Sequence, residues 1–433
     1  MTLKYFSFQH CIMWTRFLIL LLLALTPQAI ISVKQRDLET VYQWKQLVYG
    51  FATPADRQHA QSNGYLVPEN GTPIDVATHQ QAKGSRVFVT IPRFQTGIPY
   101  TLAVVSDSNE ANGPVLQPYP DYSYHNAHGR DCNKITSAFR VAITECNQMF
   151  VIDSGVIGMT QHCPPQLLVF DLNTDTLYHR YRFESSMYVP IASLLITPLV
   201  VVQDPPPKGR CRRLHVYIAD VTHHGLVIYD SELNTAWRAE NKFMYPDPDH
   251  GQHTIAGDNF ILMDGMFALA TDQRQLYFHP LASISEYAVP LSVLNNRTMW
   301  MDNLEAMPEA FRLVGRRSSE CAAQAMDSHR NLYCVTFNPI KLIRWNPSKP
   351  YNVKYEIEVP ADPQLLEFVS GMKVFKNDAG KEELWMISNR YQKVATGTLT
   401  DSEVNFRVVR RPLDDIQSQH PPIQDLSQRL IFT

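Results

Sequence analysis

The feature that most constrains the fold is a pair of short strands that recurs six times along the chain. In each copy a polar turn leads into an apolar strand centred on an aromatic residue, and a second short strand follows. The central aromatics are Phe88, Phe150, Tyr217, Tyr277, Tyr333 and Trp385. The second strands are predicted to begin at Leu102, Leu167, Leu226, Ser285, Leu342 and Val394. Apolar or small-residue strands also precede the copies, so the repeat is predicted to be a meander of about four antiparallel strands.

One four-stranded sheet cannot cover both of its apolar faces, whereas a ring of sheets covers each face with a neighbour. Strand-like runs at this spacing, with few convincing amphipathic helices, predict an all-β fold, a six-bladed β-propeller with a central channel. The central aromatics are expected to pack between the blades. No domain boundary stands out, so residues 33–433 are predicted to form a single propeller domain.

The N-terminus has the pattern of a secretory signal peptide. Arg16 precedes an apolar run from Phe17 to Leu25, and small and polar residues follow. This pattern predicts a signal peptide over residues 1–29, with cleavage between Ala29 and Val33. The run is about half of the roughly 20 residues that a spanning helix requires, and no later segment approaches that length. The mature protein is therefore expected to be secreted, extracellular and without a membrane anchor.

The cysteines and two sequons agree with secretion. Cys11 lies in the signal segment, and six cysteines remain: Cys132, Cys146, Cys163, Cys211, Cys321 and Cys334. An even number in a secreted chain favours disulfides with 15 possible pairings, and the lack of a CxxC pair argues against zinc. Cys321 and Cys334 flank a hairpin-like segment and are the favoured pair. Asn70 and Asn296 each begin an Asn-x-Thr sequon and are predicted to be glycosylated.

Charge and motifs exclude several function classes. The chain has 39 Lys and Arg against 42 Asp and Glu, with a net charge of -3, so no basic face for nucleic acid is expected. There is no Walker loop, GxGxxG, HExxH or GxSxG motif. Nucleotide hydrolysis, hydride transfer and zincin proteolysis therefore have no support, and the expected partner is a small molecule.

Long stretches in a fixed order resemble the insect yellow / major royal jelly protein family, from about Val41 to about Arg410. They lie at 41–51, 89–105, 131–155, 163–172 and 260–270. The resemblance implies a secreted six-bladed propeller with roles in cuticle pigmentation and melanin chemistry. The yellow-f type is the most similar branch, and it implies conversion of dopachrome into a 5,6-dihydroxyindole. Other members of the family bind small amines or serve as food or salivary proteins.

The loops that leave the second strand and enter the first strand of each blade meet at one mouth of the channel, so site residues are expected there. Dopachrome conversion moves a proton from the carbon that bears the carboxylate, or loses that carboxylate, and it requires no redox cofactor. Neither a cofactor nor a metal is therefore expected. His223 and His224 are the first candidates for acid and base. Asp153 and Asp220 are expected to orient an imidazole or accept a proton.

Further residues are candidates for substrate binding. Arg93 or Arg390 is expected to hold the substrate carboxylate, and Phe337 to stack on the indole plane. Asp264, Asn338 and Asn389 are expected to line the channel. Structural roles compete with these assignments, because aspartates at strand ends often cap turns and arginines at a rim often form salt bridges.

Three functions follow. The first is a dopachrome isomerase of the melanin pathway, and the second is a non-catalytic binder of biogenic amines or catechols. An aromatic wall and a carboxylate suit both, so the residues do not separate them. The third is a calcium-dependent hydrolase with Asp153, Asp264, Asn338 and Asn389 as oxygen ligands.

Overall fold

The computed structural model describes residues 38–81 and 84–417, and it confirms the predicted all-β six-bladed propeller. The predicted signal peptide lies outside the described residues. The predicted domain over 33–433 extends beyond them at both ends and stays a prediction. No helix within the described ranges is long and apolar enough to cross a membrane.

The first three blades follow two short N-terminal strands. The N-terminal strands are β1 (Glu39–Trp44) and β2 (Val48–Tyr49). Blade 1 contains β3 (Asp75–Gln81), β4 (Gly84–Thr90), β5 (Leu102–Glu110) and β6 (Gly113–Pro118). Blade 2 contains β7 (Ala138–Ile143), β8 (Gln148–Asp153), β11 (Gln166–Asp171) and β12 (Thr176–Arg182), with a hairpin of β9 (Val156–Ile157) and β10 (Thr160–Gln161). Blade 3 contains β13 (Leu195–Val202), β14 (Leu214–Asp220), β15 (Gly225–Asp230) and β16 (Thr235–Glu240).

The other three blades follow a second hairpin, β17 (Gln252–Ile255) and β18 (Asp258–Ile261). Blade 4 contains β19 (Met266–Thr271), β20 (Gln275–Pro280), β21 (Ser285–Pro290) and β22 (Arg312–Arg316). Blade 5 contains β23 (Cys321–Met326), β24 (Leu332–Thr336), β25 (Lys341–Trp345) and β26 (Ile357–Val359). Blade 6 contains β27 (Val369–Lys376), β28 (Glu382–Ser388) and β29 (Phe406–Pro412). The α-helices are α1 (Pro54–Ser62), α2 (Leu291–Leu294), α3 (Tyr391–Thr396) and α4 (Asp414–Gln417).

The ring closes through pairing of the two ends of the chain. Strand β1 lies antiparallel to β29 and becomes the outer strand of blade 6. The Trp44 indole N–H, at the end of β1, donates to the Pro114 carbonyl of blade 1 at 2.7 Å. The inner strands β3, β7, β13, β19, β23 and β27 contact one another in ring order and line the channel.

The predicted packing role of the central aromatics is confirmed. All six are buried, and the most exposed of them, Trp385, is 4% exposed. They lie on the second strand of each blade, where rings of this size fill the space against the neighbouring sheet. Burial of apolar surface between blades, at roughly 25 cal/mol per Å², is the main source of stability for such a ring.

One predicted strand is wrong. The segment that begins at Val394 is not the third strand of blade 6, because α3 occupies it and the third strand is β29, which begins at Phe406. The helix ends at Gly397, whose φ of +67° suits glycine and whose N–H donates to the Lys393 and Val394 carbonyls.

The favoured cysteine pair is confirmed. Cys321 and Cys334 form a disulfide across the β23–β24 hairpin. The other bonds join Cys132 to Cys163 within blade 2 and its entry loop, and Cys146 of blade 2 to Cys211 of blade 3. All six cysteines of the predicted mature chain are therefore paired, as in proteins of oxidising compartments.

The two sequons lie in different surroundings. Asn296 is exposed, and the Thr298 hydroxyl donates to its side-chain carbonyl at 2.7 Å. Asn70 is half-buried, and its amide nitrogen, the atom that a glycan would occupy, donates to the Thr96 carbonyl at 2.8 Å. Asn296 is therefore the more accessible acceptor.

Candidate functional site

A cavity opens at the mouth where inner strands begin and second strands end. Its empty space is about 460 Å³, a volume that includes space open to solvent. We call it the mouth cavity, and five of the six blades or their adjoining loops line it. Its lining residues are Ile74, Phe94, Phe139, Arg140, Leu194, Ile196, Val221, Leu262, Asp264, Phe267, Phe368, Ser370, Asn389 and Tyr391.

Asp264 is the carboxylate of the mouth cavity. It lies in the loop between β18 and β19, partly exposed to the cavity but closely surrounded by protein atoms. This burial raises its pKa to about 6, and the positive charge of Arg140 acts in the opposite direction. Neither carboxylate oxygen is hydrogen-bonded to a residue in the described part of the chain. Asp264 can therefore exchange a proton near neutral pH.

Arg140 is the cation of the mouth cavity. It lies on the inner strand β7 and is 5% exposed. One terminal nitrogen donates to the Ser370 carbonyl at 3.0 Å, and the guanidinium lies over the ring of Phe267, 4.5 Å from its centroid. Burial lowers its pKa to about 10, against the charges of Asp75 and Asp264, so Arg140 stays protonated near neutral pH.

Aromatic side chains form much of the wall. Phe94 contacts Phe139 edge to face, with ring centroids 5.6 Å apart. On another side Phe368 packs against Tyr391, with centroids 5.0 Å apart. Burial and the charge of Asp264 raise the pKa of the Tyr391 phenol. The wall therefore offers flat apolar surfaces and a protonated phenol, which suit a planar ring with polar edges.

A second and larger cavity, the lower cavity, is lined by residues of all six inner strands and has about 1130 Å³ of empty space, which includes space open to solvent. Arg140, Phe267 and Ser370 line both cavities. In this lower cavity the Lys373 ammonium pairs with Asp75, which is fully buried and also accepts the Val141 N–H at 2.9 Å. Burial lowers the pKa of Lys373, and Asp75 opposes that change. Lys373 and Asp75 therefore compensate each other's charge.

Two of the sequence-predicted residues, Asp264 and Asn389, meet in the mouth cavity. Asn389 is fully buried, and its amide nitrogen donates to the Pro73 carbonyl at 3.0 Å and to the Ser370 hydroxyl at 2.9 Å. Its side-chain oxygen accepts the backbone N–H of Tyr391 at 3.2 Å. Asn389 therefore holds two other cavity residues in place.

The expectation that Arg93 binds substrate is wrong on geometry. Its guanidinium is fully buried and donates only to backbone carbonyls, among them those of Ile98, Pro99 and His125 at 2.9 to 3.0 Å. These bonds fix the loops between blades 1 and 2. No donor of Arg93 is left for a ligand carboxylate.

Asp153 likewise has a structural role. It is fully buried, and its oxygens accept the N–H groups of Thr136, Ser137 and Gly155 and the amide of Gln166 at 2.7 to 3.1 Å. The carboxylate thus ties the end of β8 to the segment that enters β7, as expected of a turn-capping aspartate. It does not face the mouth cavity.

Asp220 repeats this role in blade 3. It accepts the Leu194 and His223 N–H groups and forms an ion pair with Arg238 at 2.8 Å, both side chains being buried. The side chain of His223 is half-buried and makes no hydrogen bond to a described residue. His224 turns its Nδ1 to the Val221 carbonyl at 3.2 Å, and burial lowers its pKa. Neither histidine lines the mouth cavity, so their predicted acid and base roles are not supported.

The three other candidates lie elsewhere. Phe337 is buried behind the cavity wall and stacks on Phe368, with centroids 5.3 Å apart. Asn338 is exposed, and Arg390 forms ion pairs with Glu367 at 3.1 Å and Glu403 at 2.7 Å. The four oxygen ligands expected of a calcium site therefore do not converge, because Asp153 is satisfied by N–H donors and Asn338 lies outside the cavity.

Sequence reasoning missed Arg140 and Tyr391. Arg140 lies inside an apolar segment, FRVAI, whose pattern predicts only a strand, and a lone arginine on an inner strand is the signal that could have revealed it. Tyr391 is the first residue of α3 and lies just before Val394, where the sequence pattern predicts a strand. Both positions depend on which strand faces the channel, and the repeat pattern alone does not specify that.

Comparisons with known proteins identify the family of the chain. The sequence profile of the major royal jelly proteins matches residues 136–421. A dopaminechrome tautomerase of Drosophila melanogaster is 31% identical over 397 residues, which cover 88% of this chain and 83% of that protein. Major royal jelly protein 9 of Apis mellifera is 29% identical over 88% of this chain and 89% of its own length. Protein yellow of Drosophila melanogaster is 30% identical over 87% of this chain and 69% of its own length.

Proposed function

Because this chain belongs to the major royal jelly protein family and its relatives include a dopaminechrome tautomerase, we propose that it is an aminochrome tautomerase that converts dopachrome into a 5,6-dihydroxyindole. The observation that carries the proposal is Asp264. It is a carboxylate with a pKa of about 6, placed in a cavity that opens at the mouth of the channel and is walled by aromatic rings.

The reaction requires one base and one proton donor. Dopachrome becomes aromatic when the ring carbon that bears its carboxylate loses a proton. The electron pair of that C–H bond enters the ring and reduces the quinone, one oxygen of which takes up a proton. A second proton then leaves the neighbouring CH2 carbon and the other oxygen takes up a proton, which gives the catechol and the C2=C3 double bond of the indole. The change is an isomerisation, so no external oxidant or reductant is consumed.

Asp264 suits the role of the base. A general base is most effective when its pKa lies near the working pH, and a carboxylate of ordinary pKa would be a weaker base. With a pKa of about 6, Asp264 is mostly ionised at neutral pH and still basic enough to accept a carbon-bound proton that the quinone acidifies. Activity is therefore expected to rise with pH to a plateau above about pH 6.

Tyr391 suits the other end of the substrate. It lines the same cavity, and its raised phenol pKa keeps it protonated. A protonated phenol can donate a hydrogen bond to the quinone oxygen on which negative charge develops. The faces of Phe368 and Phe94 can hold the bicyclic ring between them.

A turnover assay tests the proposal. Purified wild type and Asp264→Asn would be mixed with dopachrome and with dopaminechrome, and loss of the coloured aminochrome would be followed against a heat-killed control. Asp264→Asn is expected to lower kcat by about 10²- to 10⁴-fold. Asp302→Asn, at an exposed residue outside the cavity, is the matched control and should behave as wild type. Wild-type rates equal to those of the heat-killed sample would refute the proposal.

A second candidate is a non-catalytic binder of biogenic amines. A carboxylate beside several aromatic faces also suits a ligand ammonium, which such rings attract electrostatically. Calorimetric titration with dopamine and serotonin separates the two functions. A saturable isotherm that Asp264→Asn abolishes, without aminochrome turnover, would select the binder.

We also propose that the protein is secreted. Three disulfides support this, because such bonds persist in oxidising compartments. Expression in insect cells should place the protein in the medium, with the mature N-terminus between residues 29 and 33 when read by mass spectrometry. Retention in the cell with an intact N-terminus would contradict this.

A further inference from the structure

We infer that Arg140 makes the mouth cavity selective for aminochromes that carry a carboxylate, an inference that rests on the proposed function. Dopachrome carries such a group on its five-membered ring, and dopaminechrome does not. The structure supports the inference because Arg140, unlike the buried Arg238 and Arg317, forms no ion pair with a carboxylate of the described residues.

Arg140 is a buried cation whose contacts are neutral. Its terminal nitrogens donate to the Ser370 carbonyl at 3.0 Å and to the Thr197 hydroxyl at 3.4 Å, and its guanidinium lies over Phe267. Among the residues that the structure describes, no carboxylate forms an ion pair with it. Removing a charge from water without a partner is costly, so the site favours an anion.

Other buried arginines of the propeller have such partners. Arg238 pairs with the fully buried Asp220 at 2.8 Å, and Arg317 pairs with the fully buried Glu286 at 2.7 Å. Arg93 is instead enclosed by backbone carbonyls and does not line the mouth cavity. Arg140 therefore differs in that its hydrogen-bond and ring contacts are neutral, with Asp75 and Asp264 nearby but not ion-paired with it, and in that it lines the mouth cavity.

The two nearby carboxylates, Asp75 and Asp264, leave Arg140 able to bind a ligand carboxylate. Asp75 is engaged by the Lys373 ammonium and by the Val141 N–H. Asp264 lines the cavity but makes no ion pair with Arg140, and its carboxylate has the proposed role as base. A ligand carboxylate could therefore bind Arg140 without displacing an existing ion pair.

The position also suits the chemistry. In dopachrome the carboxylate is attached to the carbon that loses its proton. If the carboxylate binds Arg140, the C–H bond lies one atom away from the anchored group, inside the cavity that Asp264 also lines. Dopaminechrome lacks this anchor, so its ring has more ways to bind unproductively.

The ratio of kcat/KM for dopachrome to kcat/KM for dopaminechrome tests the inference. We expect wild type to favour dopachrome by about 10- to 100-fold, the range of one charge-assisted interaction. Arg140→Gln should lower this ratio by a similar factor, chiefly through a higher KM for dopachrome, and Arg140→Lys should restore part of it. Arg274→Gln, at an exposed arginine, is the matched control and should keep the wild-type ratio. An equal loss toward both substrates would overturn the inference, because it would indicate a structural role.

A binding measurement keeps the inference testable if no aminochrome is converted or if Arg140→Gln does not fold. Indole-2-carboxylate and indole are stable probes that differ only in the carboxylate. Calorimetry on wild type should show at least about tenfold tighter binding of indole-2-carboxylate. Equal affinities would overturn the selectivity, whereas tighter carboxylate binding without turnover would remove only the proposed catalysis.

Discussion

Replacing Asp264 by asparagine should make the protein more stable and less active at the same time. The cavity holds the carboxylate where burial raises its pKa from the ordinary value of 3.8 to about 6. Asparagine has nearly the same size but no charge to bury. A residue kept for catalysis at a cost in stability is expected to show these opposite effects.

The size of the stability effect follows from the pKa. A shift of about 2 units corresponds to at most about 3 kcal/mol, and because the side chain is partly exposed, solvent reduces the expected effect to about 1–2 kcal/mol. Between about pH 4 and pH 6 the folded protein holds a proton on Asp264 that the unfolded chain has released. The free energy of unfolding therefore falls as the pH rises through this window, and the loss is complete above about pH 6. Below about pH 4 both states are protonated and the effect vanishes.

Urea denaturation of wild type, Asp264→Asn and the control Asp302→Asn at pH 4, 5, 6 and 7 measures how the free energy of unfolding depends on pH. The gain in stability of Asp264→Asn over wild type should grow from near zero at pH 4 to about 1–2 kcal/mol at pH 7. Asp302→Asn should follow wild type at every pH. If Asp264→Asn were no more stable than wild type at pH 7, or if the difference did not change with pH, the assignment of a buried, raised-pKa carboxylate would be refuted.

Three further outcomes are expected. Asp153→Ala should lose about 3–5 kcal/mol in chemical denaturation, because it leaves four buried N–H donors without their acceptor, and wild-type stability would show that the turn does not depend on it. His223→Ala should keep kcat/KM for dopachrome within about twofold of wild type, and a loss of 100-fold would return this histidine to the active site. In insect cells Asn296→Gln should remove a glycan, seen as a mobility shift that a glycosidase abolishes in wild type, whereas Asn70→Gln should leave the mobility of the folded, secreted protein unchanged.

Much of the fold could be predicted because the repeat is local and each copy carries the same pattern. The six aromatics mark the second strand of each blade, and burial requires them to face a neighbouring sheet. Blade 6 was the exception. The six-residue segment that begins at Val394 is too short for its pattern to distinguish a strand from a helix. The pairing of β1 with β29 joins residues at opposite ends of the chain, which no local pattern encodes.

The site was predicted less well because a strand end specifies a position but not a side-chain direction. Asp153 and Asp220 lie at the ends of the second strands β8 and β14, and both turn back to accept N–H groups of the segments that enter β7 and β13. Asp264 precedes its inner strand and accepts no such N–H group from the residues that the structure describes, so its carboxylate remains available. This difference depends on the three-dimensional path of the loops, and the residue types alone could not reveal it.

The arrangement separates the residues that hold the ring together from those that line the mouth cavity. The residues that hold the ring together include the buried aromatics of the second strands and loop anchors such as Asp153, where substitution would cost stability. The proposed chemistry depends on Asp264, Arg140 and Tyr391, which line the mouth cavity and make no hydrogen bond to Asp153 or Asp220. Changing these few side chains would alter the base, the anion partner or the phenol while the ring stayed closed. Relatives that differ in activity are therefore expected to differ first at these three positions.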